Sequence, residues 1–183
     1  MKFSDEELMV MFASGVTPAF DMLYERHKHR IFRFALACLQ NQEDAEDAVQ
    51  EVFIRAARSA KRYQPTGRFM SWLFQIAANR IRTLAAARAA RQVIPLEYGE
   101  EAARCLTDDV DQAMELRECV TTCLATLSEQ QRMALVLKEI EGQSYDGIAA
   151  ALGLTPGHVR VLLHRARKRM AEALNEARNE VER

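Results

Sequence analysis

Seven glycines and four prolines are all that this chain of 183 residues carries. A fold of many short strands needs such residues at every reversal, so their scarcity argues against a β-sandwich or barrel. Aromatic residues make up 7% of the chain, and tryptophan occurs once. No apolar run approaches the ~20 residues needed to cross a bilayer, so no membrane insertion is expected. The four cysteines are read as reduced thiols rather than a disulfide framework. The amino terminus, MKFSDEELMVMF, has acids where a secretory signal would have basic and then apolar residues, so a cytoplasmic protein is expected. A nucleophile–base–orienter set, a glycine-rich phosphate loop and metal-ligand spacing are all missing. Neither an enzyme nor a metal or other cofactor is expected.

What the chain does hold is alanine, leucine, arginine and glutamate in abundance, which suits an all-α protein. The formal net charge is only −1, but its distribution is uneven. Between Glu97 and Glu118, Glu97, Glu100, Glu101, Asp108, Asp109, Asp111, Glu115 and Glu118 are opposed only by Arg104 and Arg117. Between Arg160 and Arg169 there are basic residues and no acid. Such asymmetry says more about partners than the net charge does.

Helical periodicity divides the chain. Ser4 and Glu7 have capping-box spacing, and Thr17-Pro18 starts a second helix after the break at GVTPAF. Phe20, Leu23, Tyr24, His27, Ile31, Phe34 and Ala35 follow at helical spacing. The helix from about Glu43 to Arg62 has the clearest stripe: Ala45, Ala48, Val49, Val52, Phe53, Ala56 and Ala57. YQPTGR reads as a loop, and a further helix over about Phe69–Arg91 buries Phe69, Trp72, Leu73 and Ile76. Periodicity then fades through an acidic stretch and resumes near Gln112. Ser128 caps the next helix and Gly142 stops it, and Gly153 ends the short helix in SYDGIAAALGL. The expected architecture is two small helical domains, 1–91 and 113–183, joined by a flexible acidic linker over 92–112.

The carboxy-terminal unit has the helix–turn–helix layout, with LTPGHVRVLLHRARKRM as its second helix. At about 100° per residue, Val159, Leu163, Ala166 and Met170 point inward. Gly157, Val161, His164, Arg165 and Lys168 point outward. The outward set supplies basic groups for phosphates and one apolar side chain, Val161, for a thymine methyl. On the helix EDAEDAVQEVFIRAARS, the face opposite the apolar stripe carries Asp47, Gln50, Glu51, Ile54 and Arg58. An acidic patch around an exposed isoleucine suits a protein partner rather than DNA. Cys119 and Cys123 stand four apart on a predicted helix. Buried thiols fit them better than a disulfide, with a redox pair or half a metal site as the alternative. His27 is placed inward and His29 beside basic residues, and neither suggests a ligand.

Two segments carry a family resemblance. LSEQQRMALVLKEIEGQSYDGIAAALGLTPGHVRVLLHRARKRM resembles the carboxy-terminal domain of bacterial sigma factors, especially the extracytoplasmic-function group. It is also somewhat similar to LuxR-type regulators. The amino-terminal half decides between them. NQEDAEDAVQEVFIRA resembles the sigma segment that docks on the β′ clamp helices of RNA polymerase, and GRFMSWLFQIAANRIRTLAA resembles the helix that recognises and opens the promoter's minus-ten element. The likeness covers about Phe20–Arg91 and Leu127–Met170, in the family's order.

The resemblance implies a non-enzymatic initiation factor. Its partners would be core RNA polymerase (β′ clamp helices and β subunit), promoter DNA and an anti-sigma factor. Asp44, Asp47, Gln50, Glu51 and Ile54 would bind polymerase. In the family a non-template base flips into a pocket beside the loop that is Tyr63 to Arg68 here. Ser71, Gln75, Asn79 and Arg82 make an outward polar stripe on the next helix, with Trp72 and Phe69 on its buried side. Thr155, His158, Arg160, Val161, His164, Arg165 and Lys168 would read the minus-thirty-five element. Two departures bear on promoter sequence. Thr83 stands where the family commonly has an aspartate, and Arg160-Val161-Leu162 stands where it commonly has Lys-Ser-Arg. The acidic linker would compete with phosphates for the basic helices.

Overall fold

The computed structural model describes residues 3–90 and 120–181, with side chains to residue 176. The acidic stretch, the start of the second unit and the residues Cys105 and Cys119 lie outside them. Among the described residues there is no strand.

Local chemistry sets the helix ends. α1 (Asp5–Ala13) starts with the expected capping box: the Glu7 amide donates to Ser4 Oγ, and Glu7 accepts from the Ser4 amide at 2.7 Å. α2 (Thr17–Leu39) has Pro18 in its first turn, where the missing N–H costs nothing. α3 (Gln42–Ser59) is capped by Asn41, which accepts from the Asp44 amide at 2.8 Å. A 3₁₀ turn over Ala60–Arg62 and the loop 63–68 lead into α4 (Phe69–Ala90). In the second half, helical residues 120–125 precede α5 (Glu129–Glu139), which opens with a Ser128/Gln131 capping box. α6 (Tyr145–Leu152) ends at Gly153 with φ of +70°, a left-handed conformation that favours glycine. α7 (Pro156–Val181) follows, with the His158 amide donating to Thr155 Oγ1 at 3.2 Å.

The first four helices bury Leu8, Met9, Leu23, Ile31, Phe34, Val52, Phe53, Leu73, Phe74 and Ile81. Each large side chain removed from water contributes about 1.5–3 kcal/mol, and Phe34 and Phe74 meet edge to face at 5.4 Å. His27 is buried as expected, with Nε2 2.9 Å from Asp5 Oδ2. Leu124, Met133, Val136, Leu137, Ile148, Val159, Leu163 and Ala166 fill the second half. Cys38 is buried, and loss of water pushes its thiol pKa up to about 12, so it is held as an unreactive thiol. Cys123 is buried too.

The two halves pack on one another, α6 along α4 and α5 along α2, and their cores form one continuous cluster. The Glu141 side chain is fully buried between Arg30 Nε at 2.8 Å and an Arg33 guanidinium nitrogen at 3.1 Å. Arg132 donates to the Cys38 carbonyl at 2.8 Å, and Gln40 donates to the Thr121 carbonyl at 2.9 Å. Gly147 lets α6 lie close on α4, because a Cβ there would stand 3.1 Å from Ser71 Oγ.

Candidate protein and nucleic-acid interfaces

The outer face of α3 follows from its stripe. With Ala45, Ala48, Val49, Val52, Phe53 and Ala56 buried, Asp47, Gln50 and Ile54 are exposed, and Asp44 and Glu51 are half-buried beside them. Ile54 is 44% exposed amid polar neighbours. Glu51 accepts from Arg55 Nε at 2.6 Å, and that bond holds its carboxyl below the usual range. Asp44 lies 3.9 Å from Arg88 of α4. The face is thus acidic with an apolar centre, the arrangement of a protein-binding surface.

On α7, Val159, Leu163 and Ala166 are buried and Met170 half-buried, joined by Leu162, which sequence spacing did not place inward. Thr155, His158, Arg160, Val161, His164, Arg165 and Lys168 are all exposed. They differ in freedom. Arg160 lies over the Tyr145 ring, 5.7 Å from its centre. Lys168 has only a 3.9 Å approach to exposed Glu172, which holds it weakly. Arg165 has no ion-pair partner among the described residues. Arg167, outside the assigned set, is drawn away to Glu139 at 2.7 Å. Arg160, Arg165 and Lys168 make this exposed face basic, and phosphate contacts draw on side chains of that kind.

Residues 62–68 and α4 border an open hollow of about 300 Å³ lined by Arg62, Tyr63, Gln64, Thr66, Arg68, Ser71, Trp72 and Gln75. Its wall is aromatic: Tyr63 and Trp72 ring centres are 4.8 Å apart. Here the structure corrects the stripe read from sequence. Gln75 and Asn79 are exposed, but Ser71 is 8% exposed, covered by Gly147 of α6. Arg82 is half-buried, donating to the Leu152 carbonyl at 3.2 Å and lying 3.7 Å from Glu129. Trp72, expected on the buried side, is half-buried and lines the cavity. Ala150 of α6 also borders the cavity. Helical arithmetic gives the orientation of a side chain on its own helix, but not what a helix about 70 residues away lays over it.

Sequence reasoning missed Glu6. Its carboxylate accepts from the Tyr63 hydroxyl and, at 3.0 Å, from the Phe69 amide. The available signal was a surplus of acid: Asp5, Glu6 and Glu7 stand together, and capping uses only Glu7. Glu141 and its arginine partners were missed for the same reason, being contacts between distant segments.

The family model for Sigma-70 region 2 matches residues 23–91, and that for Sigma-70, region 4 matches residues 117–170. Over 178 residues the chain is 36% identical to RNA polymerase sigma factor CarQ of Myxococcus xanthus, covering 96% of this chain and 100% of that one. It is 29% identical over 177 residues to the ECF RNA polymerase sigma-E factor of Escherichia coli K12, covering 91% and 92%. Among solved structures, CnrH in complex with the cytosolic domain of CnrY superposes with a TM-score of 0.73 at 30% identity, covering 94% of this chain and 97% of that one. The sigma factor RpoE, in complex with the anti-sigma factor NepR from Bartonella quintana, shares the fold with a TM-score of 0.67 at 24% identity, covering 85% and 96%.

Proposed function

The chain belongs to the extracytoplasmic-function group of sigma-70 RNA polymerase sigma factors, and we propose how its surfaces divide the work of transcription initiation. Residues 1–91 hold core polymerase and open the minus-ten element, residues 113–183 read the minus-thirty-five element, and residues 92–112 join them. Asp44, Asp47, Gln50, Glu51 and Ile54 on α3 dock on the β′ clamp helices, and the β subunit supplies further contact. Tyr63, Arg68, Gln75, Asn79 and Arg82 meet the opened non-template strand, with Ser71 joining them once α6 has moved off α4. An unstacked base occupies the cavity beside the loop, where polymerase binding and pocket contacts offset the few kcal/mol of lost stacking. Thr155, His158, Arg160, Val161, His164, Arg165 and Lys168 lie against the upstream duplex. The factor acts in the cytoplasm and catalyses no reaction itself. Its regulator is an anti-sigma factor, a reading supported by the complexes in which the similar CnrH and RpoE structures were solved. A stand-alone LuxR-type regulator is not supported, because residues 23–91 match sigma-70 region 2.

The observation that carries the polymerase assignment is the exposed Ile54 set among the carboxylates of α3. Reversing two of those charges turns attraction into repulsion worth a few kcal/mol. Asp47→Lys with Glu51→Lys is therefore expected to abolish binding to core polymerase in a gel shift while helix content by circular dichroism stays unchanged. Binding at wild-type strength would place the polymerase contact elsewhere.

A further inference from the structure

The loop 63–68 has little of its own to hold it in shape. Gln64, Pro65, Thr66, Gly67 and Arg68 are exposed, and Gly67 adopts a φ of +72°. Its own backbone contributes one bond at each end, from the Tyr63 amide to the Ala60 carbonyl and from the Trp72 amide to the Arg68 carbonyl. Yet a pocket that selects one base needs fixed walls, since a loose wall fits every base and distinguishes none.

The fixing comes from α1. One oxygen of the Glu6 carboxylate accepts from the Tyr63 hydroxyl, at the loop's first residue. The other accepts from the Phe69 amide at 3.0 Å, just past the loop's last residue. A single side chain thus grips both ends of the loop. The second bond also satisfies an orphan amide at the start of α4, where a negative charge is favoured. The first sets the tilt of the Tyr63 ring, which stands 4.8 Å from Trp72 and 5.9 Å from Phe69 and forms a wall of the cavity. Burial and the Glu6 bond both push the Tyr63 hydroxyl pKa upward, so it remains a donor.

We propose that Glu6 is a positioning residue for promoter opening: by tying Tyr63 and the first amide of α4 to α1, it holds the pocket in the shape that selects the flipped base. The proposal rests on the reading of this cavity as the site of that base. Glu6 itself touches no DNA and acts through Tyr63 and the loop.

The test uses the full chain bound to core polymerase. Fork-junction templates carry each of the four bases, or an abasic site, at the flipped position. For wild type, the preferred base binds better than the other three and better than the abasic site. For Glu6→Ala, that preference falls by about tenfold or to none, while affinity for the abasic template stays at the wild-type level. Glu6→Gln keeps a carbonyl for the Phe69 amide and restores most of the preference. Tyr63→Phe keeps the ring but loses the bond, giving an intermediate preference without touching the α4 terminus, and it serves even if Glu6→Ala folds poorly. A purely structural role would weaken cognate and abasic templates by the same factor, and that result overturns the proposal. So does an undiminished preference in Glu6→Ala or Tyr63→Phe. A wild-type factor that binds cognate and abasic templates equally overturns the pocket reading itself, and this proposal with it.

Discussion

Burial of a single imidazole couples this fold to pH. His27 is 3% exposed, and loss of water lowers its pKa from the usual 6.5, with Arg30 and Arg26 adding to the effect and Asp5 opposing it. When Nε2–H donates to Asp5, Nδ1 is left as a bare lone pair with no partner, and protonating it would bury a donor with no acceptor. Well above pH 6.5 the residue is neutral in both folded and unfolded chains and adds no pH dependence. As pH falls below 6.5 the unfolded chain takes the proton first, and stability is lost until the folded pKa is passed. His27→Gln keeps a donor for Asp5 and cannot titrate. Its melting temperature is expected to fall less steeply than that of wild type below pH 6.5. Parallel curves for the two proteins would show that this histidine does not set the acid limb.

At the scale of the helix, legibility tracks locality. The boxes at Ser4 and Ser128, the Asn41 cap and the Gly153 stop involve residues within a few positions of each other, so spacing alone reveals them. The outward faces of α3 and α7 were legible because those faces meet solvent. On α4 the same arithmetic failed at Ser71, which α6 covers, and at Arg82, which is drawn to the carboxy-terminal end of α6. Glu6 was illegible because its bonds span 57 and 63 residues of sequence. The DNA contact proposed for the exposed face of α7 has a quantitative test. Removing a cation that meets a phosphate should lower the slope of log affinity against log salt by about one. Arg165→Ala with Lys168→Ala is expected to weaken minus-thirty-five binding on every sequence and to flatten that slope by about two. Val161→Ala is expected to leave the slope alone and alter the choice among sequences. An unchanged slope in the double variant would mean that these two cations do not meet the duplex.

For the molecule as a whole, the packed arrangement of the two halves conflicts with simultaneous use of both surfaces in the DNA-binding roles proposed for them. Promoter elements about 25 nucleotides apart lie roughly 85 Å apart along straight duplex, at about 3.4 Å per step. A compact chain of this length has a radius of gyration of only about 16 Å. The packed form is also selective in what it hides: α6 covers Ser71 and engages Arg82, whereas the outward face of α7 stays exposed. The docking interaction most open to a single change is that of Glu141, whose fully buried side chain meets Arg30 and Arg33. Removing one partner of a fully enclosed ion pair costs about 3–5 kcal/mol. Here the arginine side chains are 32% and 37% exposed, so water screens the pairs and takes up the freed cations, and the loss is smaller. Even about 1.4 kcal/mol shifts a two-state equilibrium tenfold. Glu141→Gln is therefore expected to open the free factor, seen as a larger radius of gyration by small-angle X-ray scattering. Its affinity for a minus-ten non-template single strand should rise by about tenfold, while its affinity for a minus-thirty-five duplex stays at the wild-type level, because that face is exposed in both states. A uniform rise for both DNAs would point to the missing negative charge rather than to opening. An unchanged scattering profile with unchanged single-strand binding would show that Glu141 does not hold the halves together.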